Sequence, residues 1–224
     1  MTDDEIQREI GASMLEFLLD DWGVVERELY DRLDLPGRGL IVSFGAGAQG
    51  IVNMTEDGGF VKITEAPAEA AFAFYIRDEG MPEFPVIHDV RAFELGTNKL
   101  FAIYRESVDD ILGAFPDEEL DDLVCEALEG AARRIPPDFQ AMDMLREVAP
   151  ELHREIDTLL ASLADVRVQT DFGVVDLHAD NIGRADDGRL VVRDFGMNTL
   201  SSEMIARAVR HIRELPEPTA VLSA

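Results

Sequence analysis

Asp176, Asn181 and Asp194 fall within GVVDLHADNIGRADDGRLVVRDFG, residues 173–196, where acids and amides interrupt runs of Val, Leu, Ile and Gly. A lone carboxylate beside apolar strands is costly unless something compensates it. Either these acids are turn residues of a solvated hairpin, or some of them meet a multivalent cation. The spacing divides them between the two roles. IGR, ADDG and RLVVR read as strand, turn and strand, which makes Asp186 and Asp187 turn residues. The same hairpin brings Asn181 and Asp194 back to one end although they lie thirteen positions apart. An amide oxygen and a carboxylate converging there suit Mg2+, a hard cation that takes oxygen ligands and keeps water or phosphate as the rest. Asp176, at the end of the strand-like FGVV, would sit beside them as acceptor of a hydroxyl proton.

Two further pieces lie upstream. FGAGAQGIV places Gly45, Gly47 and Gly50 as G-x-G-x-x-G, with Val52 two residues on. It runs into IVNM and a hairpin, whereas a dinucleotide fingerprint would run into a helix. That leaves a plain glycine-rich turn, or a loop between antiparallel strands whose missing side chains let backbone N–H groups approach phosphate oxygens. Lys62 is one of only two lysines and stands mid-strand in FVKIT, on the face opposite Val61 and Ile63. If that face points inward the ammonium needs an anion. Glu69, in the first turn of the following helix, is one candidate and Glu65 a second.

The elements that must position these residues follow from periodicity. Apolar residues recur at helical spacing from Asp3 to about Leu33, with a break at Trp22 and Gly23. The period then changes, and residues 39–44, 51–54 and 60–64 read as strands, the last two joined by the turn TEDGG. A helix is expected from Pro67 to Arg77, a hairpin from 85–93 and 100–106, and helices over 116–134 and 138–163, the latter interrupted near Pro150. The hairpin of the opening stretch and a last helix over 202–214 complete the chain. The pattern predicts an α+β, two-lobed arrangement: an N-terminal helical extension (1–38), a small antiparallel-sheet unit (39–107) and a mostly helical unit (108–224).

Composition narrows the partners. The 224 residues are 46% hydrophobic with 12 Phe, which fits a folded chain with a real core. A formal charge of −26 argues against duplex DNA or an anionic membrane as partner, since the long-range field repels both. Cys125 is the only cysteine, which excludes an intrachain disulfide and a cysteine zinc cluster. The N-terminus lacks the pattern of a secretory signal, and no apolar run approaches a membrane span, so a soluble cytoplasmic protein is expected.

Taken in order, Gly45, Gly47, Gly50, Val52, Lys62, Glu69, D176-L-H-A-D-N181 and D194-F-G196 resemble the protein-kinase-like superfamily. The H178-x-x-N181 wording is more similar to its aminoglycoside and choline phosphotransferases. The resemblance covers about residues 40 to 200 and implies a two-lobed fold with a reduced helical C-lobe. It implies ATP and Mg2+, with the glycines over the nucleotide phosphates and Lys62, oriented by Glu69, on the α and β phosphates. Asn181 and Asp194 would hold the metal, and Asp176 would orient or deprotonate the acceptor hydroxyl. Tyr104 to Glu106, after the fifth strand, would be the hinge that meets adenine. Two departures stand out: Val174 replaces the usual His before the catalytic aspartate, and only 28 residues follow Gly196. A long peptide groove is therefore disfavoured, and the expected reaction is γ-phosphoryl transfer to a hydroxyl on a small molecule or a protein held in an abbreviated way. A pseudokinase-like nucleotide-binding module and an AMP-transferring enzyme of the same fold are the alternatives. Thr199, Ser201 and Ser202 read as a cap for the last helix or as sites of self-modification.

Overall fold

The computed structural model describes residues 40–47, 50–55, 57–95, 98–110, 122–126, 128, 139–170, 181–195 and 198–215. Within them the chain is mixed α and β. The first sheet contains β1 (Leu40–Gly47), β2 (Gly50–Thr55), β3 (Phe60–Thr64), β4 (Ile87–Leu95), β5 (Asn98–Arg105) and β9 (Arg213–Glu214), in the order β1-β2-β3-β5-β4-β9. Every pair is antiparallel except β4–β9. A second sheet holds β6 (Val108–Asp110), β7 (Ile182–Ala185) and β8 (Leu190–Val192). The expected N-terminal helices, residues 1–38, lie outside the described residues, as does most of the expected helix 116–134.

Helix α1 (Pro67–Glu79) crosses from β3 to β4. Pro67 starts it, where a missing N–H costs nothing, and Gly80 ends it in the left-handed conformation with its N–H on the Ile76 carbonyl. Its buried face is Ala70, Ala71, Phe72, Ala73 and Ile76, and these small residues let the helix lie close to the sheet. Helices α2 (Phe139–Val148) and α3 (Pro150–Thr170) follow, divided at Pro150 as the sequence implies. One core joins all these layers: Phe72 of α1, Phe84 of the connection from α1 to β4 and Ile103 of β5 pack in the same cluster as Leu145, Ile156, Ile182 and Val192.

The end of the chain departs from expectation. Helix α4 (Ser202–His211) begins at Ser201, whose hydroxyl accepts from the Met204 N–H, but it stops at His211 and not at 214. Ile212 is extended, and residues 213–214 pair with Arg91 and Ala92 because the edge of β4 offers unpaired backbone groups there. The Leu215 N–H then donates to the Ala92 carbonyl at 2.7 Å. The last helix therefore lies against α1, with the Tyr75 hydroxyl donating to the Met204 carbonyl at 3.1 Å. Among the described residues no helix is long and apolar enough to cross a membrane.

Candidate functional site

Strand pairing sets Val52, Lys62, Ile103 and Val90 side by side across β2, β3, β5 and β4, and so on one face. Val61 and Ile63 turn to the other face and are fully buried. Lys62 reaches away from them to the Glu69 carboxylate, with Nζ 2.6 Å from Oε1. Of the two acids the sequence offers, Glu69 takes the ion pair, while Glu65 is exposed. The first turn of α1 is a favourable place for that acid, since the helix dipole is positive there.

The same ammonium stands 3.5 Å from the Asp194 carboxylate. Asp194 is placed from both sides. On one, the Arg193 N–H donates to the Asn181 carbonyl at 2.8 Å, closing the β7–β8 hairpin so that residues 181 and 194 stand at its same end. On the other, the Phe195 ring stacks on Phe72 of α1 at 5.6 Å and meets the edge of Phe84 at 6.0 Å. The buried Phe195 thus anchors the backbone that presents a half-exposed carboxylate to Lys62. Asn181 is buried at the start of β7. Asp176, His178 and Gly196 lie outside the described residues.

Glu69 is 1% exposed and its Oε2 is buried without a hydrogen-bond partner. Burial pushes its carboxyl above the ordinary carboxylate range, against the downward pull of Lys62. The folded state therefore holds the Glu69 proton more tightly than the unfolded chain does. That contribution to stability is complete below the unfolded value and is lost as pH rises through the raised folded value. At neutral pH the buried charge is a cost to the fold. We expect Glu69→Gln to gain stability relative to the unsubstituted chain as pH is raised from about 4.5, the carboxylate reference value. Urea unfolding at several pH values reads this, and a constant difference across the range contradicts it.

The three glycines stand in the paired strands β1 and β2. The ladder runs up to a Gly47–Gly50 pair and also matches Gly45 with Val52, with an irregularity between Ser43 and Gly45. Gly50 has a steric reason of its own: with φ of 151°, a Cβ there would lie 2.1 Å from the Ile63 carbonyl oxygen. The expected hinge also differs in detail. The ladder continues through Arg105, so Tyr104 sits inside β5, on the Val61 face, with its hydroxyl donating to Asp57 at 2.5 Å. Beyond it, the Glu106 N–H donates to the Val86 carbonyl at 3.0 Å and its carboxylate accepts from the Val86 N–H at 2.7 Å. Glu106 thus fastens the start of the connection to β6.

One residue escaped the sequence reading. Arg105 pairs with Phe60 in the ladder and so shares the Lys62 face, and its guanidinium lies 5.5 Å from the Phe60 ring centroid. Burial, then Arg193, pushes its pKa down to about 10, while Asp194, Glu69 and Glu106 pull it up. Its Nη1 is buried with no hydrogen-bond partner. Alternation in LFAIYRE sets Arg105 on the face of Ile103, but only the strand pairing shows that this is also the face of Lys62.

The set can hold a cation–anion pair. Lys62 offers a positive charge beside a half-exposed carboxylate, and Asp194 with the Asn181 amide are hard oxygen donors of the kind Mg2+ takes. Among the described residues no group of three or more His, Cys, Asp or Glu converges, so a cation here would draw further ligands from phosphate and water. A separate cavity of about 400 Å3 opens beside α3, lined by Glu83, Thr158, Ser162, Arg189 and Leu190, and none of the residues above lines it. No protein-family model matches the chain, and no curated protein matches it.

Proposed function

We propose that this chain is a Mg2+-dependent phosphotransferase of protein-kinase-like, two-lobed architecture, which moves the γ-phosphoryl group of a purine nucleoside triphosphate to a hydroxyl. The observation that carries this reading is the Lys62 ammonium held between Glu69 at 2.6 Å and Asp194 at 3.5 Å. Residues 62 and 194 are 132 positions apart, and in each case the surrounding fold accounts for the approach.

The roles follow from charge and reach. Lys62 neutralises triphosphate oxygens, and Glu69 fixes the direction of its long side chain. Asn181 and Asp194 would hold Mg2+, which when bound offsets phosphate charge as the transferred group leaves the diphosphate. The glycine hairpin offers backbone amides and little side-chain bulk next to β3. In the resemblance Asp176 receives the acceptor's hydroxyl proton as the new O–P bond forms and the bridging P–O bond breaks. Such catalysis is positioning and electrostatic complementarity, with little covalent work for the protein.

Incubating the chain with Mg2+, ATP or GTP labelled at the γ position, and a panel of hydroxyl compounds tests this. Transfer of label that Asp176→Ala reduces by about a hundredfold or more is the expected result. Label that moves only from the α position would instead mean nucleotidyl transfer. Stabilisation by nucleotide without any turnover would mean a binding module.

A further inference from the structure

Two residues along β5 from Ile103, the neighbour of Lys62, the same face of the sheet carries Arg105. A two-residue step on a strand is about 7 Å, so the guanidinium lies further along the face that would receive the phosphates, where the chain turns off toward β6. Phe60 stands opposite it, and ring and guanidinium already lie against each other. This patch pairs an aromatic surface with a planar cation, and both kinds of surface stack on bases.

The polar groups around the guanidinium are engaged elsewhere. Glu69 is paired with Lys62, and Glu106 accepts from the Val86 N–H. Arg193 repels Arg105, and Asp194 has Lys62 at 3.5 Å. Arg105 stays charged at neutral pH, and its Nη1 is left as a buried donor with no acceptor. A buried donor without a partner is a standing cost, which a ligand acceptor would relieve.

We propose that Arg105 selects the base, favouring guanine over adenine by donating to the oxygen at position 6. This inference rests on the phosphotransferase reading above. The physical ground is that arginine has five N–H donors and no acceptor. Guanine presents a carbonyl oxygen at position 6 with an acceptor nitrogen beside it, and the pair matches a guanidinium fork. Adenine presents an amino donor at that position, which would face the guanidinium donor to donor and leave both unsatisfied.

Displacement of a fluorescent GTP analogue by GTP, ITP and ATP, each with Mg2+, tests the idea. ITP isolates the carbonyl at position 6, because it lacks the amino group of guanine. GTP and ITP are expected to bind alike and about tenfold or more tighter than ATP. Arg105→Met keeps an apolar stem over Phe60 and removes the donors, so it should bring the three nucleotides together. Arg105→Lys, which keeps a donor, should retain part of the preference. ATP binding as tightly as GTP to the unsubstituted chain overturns the proposal, as does a guanine preference that survives in Arg105→Met. If Arg105→Met does not fold, the order GTP, ITP and ATP on the unsubstituted chain decides. If neither the analogue nor any of the three nucleotides binds, the phosphotransferase reading falls and takes this inference with it.

Discussion

If the chain is the phosphotransferase proposed above, Asp194→Ala is expected to leave a folded protein whose phosphoryl transfer is lower by about a thousandfold, in the range seen when a preorganised charge is removed from a reacting site. The stability side of this expectation comes from exposure. The Asp194 side chain is 47% exposed, and the backbone around it is held by Phe195 and by the Arg193–Asn181 hydrogen bond, neither of which the substitution touches. A half-exposed ion pair of this kind contributes only about 1 kcal/mol or less. The activity side comes from what the carboxylate faces. Among the described residues it is the one acid in contact with Lys62 that is also open to solvent, since Glu69 is buried. Asp187→Ala is the matched control: it removes an exposed acid from the turn of the same hairpin, where the carboxylate meets its neighbour Arg189. Steady-state transfer assays with thermal melts on both variants separate the cases. Equal activity in the two would remove residue 194 from the chemistry, and a collapsed melt for Asp194→Ala would make its role structural.

How much of this was legible before the fold was known depends on the range of the forces involved. The β7–β8 hairpin could be read because its turn chemistry and strand alternation lie within a dozen residues, and with it came the meeting of residues 181 and 194. The Lys62–Glu69 pair was legible as one of two options, because strand alternation fixed the face of Lys62 and the helix start fixed Glu69 in its first turn. The choice against Glu65 needed the path of the chain from β3 into α1. Arg105 was hidden because its neighbour across the sheet, Phe60, is far away in sequence, and register between distant strands leaves no local mark. The reach of β9 to β4 was hidden for a related reason. Nothing in RELPEP signals a strand, and the pairing exists because β4 has an open edge in the right place.

That last contact leads to the second large effect. The segment after Asp194 does not run away from the site but folds back over α1, the helix that carries Glu69. Tyr75 of α1 donates to the Met204 carbonyl, Asn198 donates to the Ala68 carbonyl at 3.3 Å, Phe74 stacks on His211, and the fully buried Ala208 belongs to the same core as the α1 face. β9 and Leu215 then fasten the end of this segment to β4. Helix α1 has no side-chain cap at its start, so much of its hold on the sheet must come from packing. A chain ending at Leu200 removes α4 and β9, uncovers the Phe74 and Tyr75 side of α1, and frees the helix to shift. Because Lys62 reaches Glu69 only when α1 sits as observed, we expect phosphoryl transfer to fall by about a hundredfold, a magnitude typical for losing the group that orients a reacting residue. Hydrogen exchange should rise across α1 while β7 and β8 keep their protection, since their backbone pairing is with each other and with β6, and β8 also meets α3. Tyr75→Phe is the gentler companion, deleting one hydrogen bond worth about 1 kcal/mol. If the shortened chain transfers phosphoryl groups at the full rate, α4 is a passive cover. If exchange rises everywhere, it is a general support of the fold, and only the selective loss at α1 makes it the element that keeps Glu69 on Lys62.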